Sequence, residues 1–158
     1  MIKEKILNYI RCAVDQEQSS YRMALSVSVG IFIAFSPYLF FHTIMIFLLS
    51  WLLGLNFMIT FTVTYALNNP WTMIFVYAAD YVVGDFLLNL AGFCPMMLNP
   101  HWIECINVPL RHHTGLDGIA FWSFMIGGNL LGLLLGVMLY PVVKSIYGRM
   151  VPVESKLV

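Results

Sequence analysis

The sequence predicts an all-α integral membrane protein, and three observations support this fold class. Hydrophobic residues make up 60% of the 158 positions and charged residues only 10%, whereas about 25% of a soluble domain is charged. The mean hydropathy is +0.82. Between Met23 and Ile103 the only fully charged side chains are those of Asp80 and Asp85. A water-soluble fold of so short a chain cannot bury this much apolar surface, so a soluble protein is excluded.

The chain divides into three parts. Residues 1–22 form a polar, amphipathic interfacial segment, residues 23–148 form the membrane domain, and residues 149–158 form a short polar tail. Apolar side chains recur at helical spacing within residues 2–14, which predicts a helix lying either on the membrane surface or on the protein itself. The net charge is zero and no basic run occurs, so no nucleic-acid partner is expected.

The membrane domain begins with two long apolar units, residues 23–55 and 57–92. They contain 33 and 36 residues, whereas one straight crossing needs roughly 20 and two need roughly 40. Each unit is interrupted near its middle by a polar residue followed by proline, namely Ser36-Pro37 and Asn69-Pro70. Proline ends a helix, while a polar residue before it suits an N-cap. The pattern predicts two broken helices, re-entrant or discontinuous, with a new helix starting at each proline.

The rest of the membrane domain is predicted to contain a loop and one further span. Residues 93–117 are predicted to be a loop with a short surface helix near residues 102–106, and residues 118–143 are long enough for one tilted crossing. In this last segment small residues recur every fourth position, at Gly128, Gly132 and Gly136. Such spacing is typical of close helix packing in lipid. The pattern leaves open whether the partner is a helix of the same chain or a second copy in a homo-oligomer.

The two predicted helix starts are the main candidate for a binding site. A helix N-terminus presents unpaired N–H groups and the positive end of the helix dipole, and transporters use broken helices in this way. The alternative is that both breaks are packing kinks whose polar groups satisfy freed carbonyls. The candidate substrate-binding residues are Ser36, Pro37, His42, Thr43, Asn68, Asn69, Pro70, Thr72, Tyr77 and Asp80.

Two further sets of polar residues need an interpretation. A carboxylate within a membrane segment is costly and indicates function, which makes Asp80 a candidate, while Asp85 is assigned to the headgroup region near the segment end. The predicted loop contains five residues that are common metal ligands, namely Cys94, His101, Cys105, His112 and His113. A close C-x-x-C pair is absent, which favours scattered loop residues, so no metal and no cofactor are expected.

The stretches GIFIAFSPYLFFHTIMIFLLSWLLGLN and NNPWT resemble an uncharacterised bacterial membrane family, domain of unknown function 2062. The positions that match its pattern are Gly30, Ser36, Pro37, His42, Thr43, Asn56, Asn69, Pro70, Tyr77 and Gly84. The resemblance covers most of residues 20–148 and implies a multi-pass protein of the bacterial inner membrane. Some relatives are fused to glycosyltransferase domains, which implies lipid-linked sugar or envelope metabolism. The family supplies no activity.

Three functions are consistent with these residues. The leading hypothesis is a carrier that binds and translocates an anionic lipid or lipid-phosphate at the facing helix starts. The alternatives are a lipid-modifying enzyme, with His42 as base and Asp80 orienting it, and a non-catalytic membrane interaction subunit. Lys and Arg number four in residues 1–22, one in 93–117 and three after Val143, which favours both termini on the cytoplasmic side.

Overall fold

The computed structural model describes residues 20–38, 40–115 and 118–150, and within these ranges the chain forms six α-helices and no strand. The helices are α1, Ser20–Phe35; α2, His42–Leu53; α3, Phe57–Leu67; α4, Pro70–Leu90; α5, His101–Thr114; and α6, Phe121–Met150, with a short 3₁₀ turn at Pro95–Leu98. The all-helical prediction is therefore confirmed for this part of the chain. The predicted surface helix within residues 2–14 and most of the polar tail lie outside the described residues.

Two of the helices are long and apolar enough to cross a membrane, Pro70–Leu90 and Phe121–Arg149. By contrast, α1, α2 and α3 contain 16, 12 and 11 residues, fewer than the roughly 20 that a straight crossing needs. The breaks in the two apolar units thus divide them into helices of unequal length, of which only α4 reaches the length of a span.

Helix α6 packs against α1 along its glycines. The glycines Gly128, Gly132 and Gly136 lie in turn against the carbonyl oxygens of Phe35, Phe32 and Ser28. A Cβ on Gly128 would lie only 2.5 Å from the Phe35 oxygen, so no side chain fits there. This order makes α6 antiparallel to α1. A second copy of the chain could reach these glycines only by displacing α1.

Helix α6 packs against α4 in a second close crossing. A Cβ on Gly127 would overlap the carbonyl oxygen of Asp80, and a Cβ on Gly84 would overlap that of Ser123. These pairs make α4 antiparallel to α6 where they meet. Because Gly84 and Gly127 have no side chains, the two backbones come into direct contact. Small residues allow the same close approach in membrane helix pairs.

Helices α1 and α3 lie side by side and run in the same direction. The hydroxyl of Thr60 donates to the Ser26 carbonyl (3.3 Å), and that of Thr64 donates to the Gly30 carbonyl (3.0 Å). The N–H of Asn56, just before α3, donates to Ser26 Oγ (2.9 Å). Helix α2 therefore runs back along α1, because its start lies beside the end of α1 and its end lies beside Ser26.

The segment predicted as a loop contains α5, which is about two turns longer than the short surface helix expected near residues 102–106. One side of α5 buries Ile103 and Asn107, whereas Trp102 and Ile106 are exposed. The side chain of Asn107 bonds both backbone groups of Ile119, with distances of 2.8 and 3.1 Å. The prediction was too short because a helix with one polar face has the mixed polarity of a loop.

The tight α4–α6 crossing predicts a clear difference between two glycines of α6. Gly127→Ala should lower the free energy of unfolding by about 1–3 kcal/mol, because its Cβ overlaps backbone that cannot move alone. Gly148 is the matched control, since its Cβ would meet only Ser20 Oγ at 3.7 Å. Gly148→Ala should leave stability unchanged or raise it by up to about 1 kcal/mol. Reversible unfolding in mixed micelles measures both, and equal stabilities would contradict the crossing.

Candidate functional site

The first break does not have the geometry that the sequence predicts. Helix α1 ends at Phe35 and the next helix begins at His42, so the prediction of a helix start at Pro37 is wrong. The Ser36 N–H still donates to carbonyls in the last turn of α1, so this residue ends one helix rather than capping another. The N-cap position of α2 is held by Phe41, which supplies no side-chain cap.

Long-range polar contacts hold this break in place. Both Ser36 and His42 are buried, and Nε2 of His42 lies 2.9 Å from the Ser36 carbonyl oxygen. The Ser36 hydroxyl donates to Oδ1 of Asn129 on α6, at 3.4 Å. The neighbouring Thr43 is exposed, and its hydroxyl lies 2.7 Å from that of Tyr65 on α3. His42 thus joins the two ends of the break, while Thr43 belongs to the outer surface.

The second break has the predicted geometry. Asn69 is the N-cap and Pro70 is the first residue of α4. The Asn69 Oδ1 accepts the N–H groups of Trp71 (3.0 Å) and Thr72 (3.1 Å), and the Thr72 hydroxyl accepts the Asn69 N–H (3.3 Å). The Asn69 Nδ2 donates to the Ala66 carbonyl at 2.9 Å. These donors of the α4 start are therefore bonded within the chain and are not open to an anion.

Asn68 and Tyr77 form a pair next to this cap. Asn68 is the C-cap of α3, and its Nδ2 donates to the Tyr77 hydroxyl at 3.5 Å. Its Oδ1 is buried without a hydrogen-bond partner. The ring of Tyr77 packs edge-on against Phe124 of α6, with centroids 5.1 Å apart. The pair thus links the second break to α6.

Asp80 is fully buried where α4, α6 and the first break meet. Its exposed fraction is 0%, and neither carboxyl oxygen has a hydrogen-bond partner. A Cβ on Gly128 would lie 3.3 Å from the Asp80 Cγ and 3.1 Å from the Pro37 Cδ, so the carboxyl group borders the break. The carboxyl oxygens of Asp80 make no hydrogen bond, so Asp80 is not hydrogen-bonded to His42 as the enzyme hypothesis expects.

Asp85 differs from Asp80 in having partners. Its Oδ1 accepts the Ser123 hydroxyl at 3.2 Å, and its Oδ2 accepts the Asn89 amide at 2.9 Å.

In the described ranges, no three His, Cys, Asp or Glu side chains converge as a metal site. Cys94 and Cys105 are exposed and unbridged.

An apolar groove of about 550 Å³, which the sequence does not predict, lies between α1, α2 and α6. This volume lies within the ~300–1,000 Å³ of small-molecule pockets. Its wall from α1 is formed by Tyr21, Leu25, Ser28, Val29 and Phe32; its other walls are formed by Leu49, Leu53, Leu133, Gly136, Val137 and Tyr140. The hydroxyl of Ser28 is buried on this wall without a partner. No local motif marks the groove, because one of its walls comes from α6, which is far in sequence from the consecutive helices α1 and α2.

One end of the groove is aromatic and positively charged. The rings of Tyr21 and Tyr140 meet edge to face, with centroids 6.1 Å apart. The Nζ of Lys144 lies 5.9 Å from the centre of the Tyr140 ring. Amphipathic rings and basic side chains are the groups that proteins place at the level of lipid headgroups. The other end, at Phe32 and Leu133, approaches the first break.

In the part of the chain that the structure describes, these features define a small helical protein with two helices that could span a membrane, an apolar groove and a buried acid. A family described as uncharacterized protein conserved in bacteria (DUF2062) matches residues 5–153, and the chain belongs to this family. Neither the curated proteins nor the solved structures contain a match to this sequence.

The Asn69 cap predicts a defined loss of stability. Asn69→Ala removes the acceptor of two backbone N–H groups and should lower the free energy of unfolding by about 0.5–2 kcal/mol. Asn69→Asp keeps the acceptor but loses the Nδ2 donor to the Ala66 carbonyl, so its loss of stability should be smaller than that of Asn69→Ala without being zero. Unfolding in mixed micelles measures both variants. A loss of equal size in the two variants would show that the cap is not what stabilises this start.

Proposed function

We propose that this protein is a multi-pass protein of the bacterial inner membrane that binds an anionic lipid in the groove and carries it across the bilayer. The groove, with its apolar walls and its tyrosine–lysine end, is the observation on which the proposal depends. The Asp80 carboxyl makes no hydrogen bond that would orient a base, and the groove suits the acyl chain of a lipid, so we favour a carrier over the lipid-modifying enzyme.

The exposure of the long helices supports a membrane location. In the most apolar windows of Pro70–Leu90 and Phe121–Arg149, only 17% and 22% of residues are buried. The core helix of a soluble protein would be mostly buried. Large apolar side chains such as Trp51, Phe75 and Met138 are instead more than two-thirds exposed. Lipid is the solvent in which such a surface is stable.

The helix directions support a specific topology. Helix α2 returns beside α1, which makes the first unit a re-entrant hairpin. The contacts show that α3 and α4 both run antiparallel to α6. These directions support a second unit that crosses the membrane once as a discontinuous helix, with α6 crossing back. Tyr21 and Tyr140 then lie at the same end, together with Arg22 and Lys144. The basic residues support a cytoplasmic location for this end.

The dimensions of the groove suit one acyl chain of the cytoplasmic leaflet. From Tyr21 to Phe32 the helix rises about 16 Å, which is about half of the ~30 Å hydrocarbon core. Apart from the Ser28 hydroxyl the walls along this length are apolar, which favours an acyl chain over a polar ligand. Lys144 at the tyrosine end would face the headgroup, and a cation there favours a phosphate with net negative charge.

The inner end of the groove supports transport of the bound lipid. It approaches the break between Phe35 and His42, where the backbone is irregular and Ser36 is buried. Irregular backbone at membrane depth is tolerated where it is buried in protein or lines a cavity, and transporters place their substrate sites there.

Filling the groove should abolish lipid binding. Leu133→Trp adds bulk inside the groove, whereas Leu134→Trp adds the same bulk on a neighbouring exposed position that does not line it. Native mass spectrometry with phosphatidylglycerol should show binding reduced about tenfold or more in the first variant and unchanged in the second. Equal binding by both variants and the parent would overturn the groove as the lipid site.

Removing the positive charge of Lys144 at the tyrosine end of the groove should change which lipid is preferred, without abolishing lipid binding. Lys144→Gln should weaken phosphatidylglycerol about fivefold and leave phosphatidylethanolamine unchanged, because one basic residue near a lipid surface contributes about 1 kcal/mol. The same measurement detects both lipids. Transport is tested separately, by flipping of fluorescent phosphatidylglycerol in vesicles. Binding without flipping would reject the carrier and leave a lipid-binding subunit.

A further inference from the structure

A buried carboxyl group without a partner is the least expected feature of the described structure. Both oxygens of Asp80 are buried and unbonded, although most buried polar groups in proteins have a partner. An isolated carboxylate in an apolar interior costs several kcal/mol or more unless a positive charge or a proton neutralises it. Neutralising Asp80 therefore requires either a basic side chain of this protein or a bound cation, including a proton.

The chain supplies no such cation from the helices that surround Asp80. No Lys or Arg occurs between Met23 and Ile103, and none occurs in α6 before Lys144. On α6 the neighbours are Gly127 and Gly128, which present only backbone.

The titratable groups on the elements around Asp80 are not hydrogen-bonded to its carboxyl group. Tyr77 lies one turn earlier on α4, where its hydroxyl bonds Asn68. His42, on the other side of the first break, bonds the Ser36 carbonyl. Asp85, one turn later, is an acid and bonds Ser123 and Asn89. None of these groups makes a hydrogen bond to the Asp80 carboxyl.

The end of α1 adds negative potential at the same place. A Cβ on Gly128 would lie 2.5 Å from the Phe35 carbonyl oxygen and 3.3 Å from the Asp80 Cγ, so both groups border one point. Phe35 is the last residue of α1, and the C-terminal end of a helix carries the negative end of its dipole. In transporters, carbonyls of unwound segments and C-terminal ends of half-helices coordinate sodium ions or protons.

We propose that Asp80 is the binding site of a small monovalent cation, a proton or a sodium ion, held between the carboxyl group and the end of α1. The site is distinct from the groove and does not depend on lipid binding. Loss of the cation leaves an unpaired charge at the contact of α4 and α6 with the first break. Loading of the site therefore tightens this contact.

The test compares Asp80→Asn with Asp85→Asn, which neutralises a carboxylate that already has partners. Melting temperatures of the purified proteins are measured in sodium and in choline chloride at constant ionic strength, and across a pH series. A sodium site predicts that the parent gains about 2–8 °C for each tenfold rise in sodium. A proton site predicts a loss of similar size for each unit of rising pH and no sodium response. In either case Asp85→Asn keeps the response and Asp80→Asn loses it.

A response of the parent that Asp80→Asn retains, or no response of the parent to either ion, would overturn the proposal. Infrared difference spectra of the unmodified protein give a second measurement that does not require Asp80→Asn to fold. Exchange of sodium for choline, or of low for high pH, should change a carboxyl band that Asp85→Asn still shows. The absence of any carboxyl change in both exchanges would also overturn the proposal.

Discussion

The close contact of α6 with a helix on each side is the constraint on which the rest of the structure depends. Gly127 places the backbone of α4 against one side of α6, and Gly128, Gly132 and Gly136 place α1 against another. Because no side chain separates these backbones, small changes in helix position would create overlap. The groove, the buried acid and the first break are all located by these two contacts.

Most buried polar groups around these contacts are satisfied within the chain. The hydroxyl of Thr60 and that of Thr64 are each shared between a carbonyl of α1 and the carbonyl four residues earlier in the chain. Asn69 completes the start of α4 in the same way. A buried group left without a partner costs about 1–3 kcal/mol, so the exceptions stand out. Among the described residues they are Ser28, Ser50, Oδ1 of Asn68 and both oxygens of Asp80, of which only Asp80 is an acid.

The sequence predicts the local features of this fold better than the long-range ones. The helix start at Pro70 could be predicted because an N-cap depends only on neighbouring residues. The same signal failed at Pro37, because Ser36 is bonded to residues outside its immediate neighbourhood. The His42 ring, in the next helix, bonds the Ser36 carbonyl, and the amide of Asn129, far away in sequence, accepts the Ser36 hydroxyl. These bonds hold the segment outside a helix. The spacing of glycines in α6 is visible in the sequence, but their partner, α1, is not. The groove could not be predicted, since it forms only when α6 packs beside α1 and α2.

In the proposed membrane location, lipid surrounds the apolar faces that the helices do not bury. Spin labels at Leu130, Leu134 and Met138, all exposed on α6, test it most directly in proteoliposomes by collision with oxygen and with a polar nickel chelate. Oxygen concentrates in the bilayer and the chelate stays in water. The structure predicts high oxygen and low chelate collision rates at all three positions. High chelate rates along this face would contradict a membrane-spanning α6 and, with it, the assignment of the groove to a lipid.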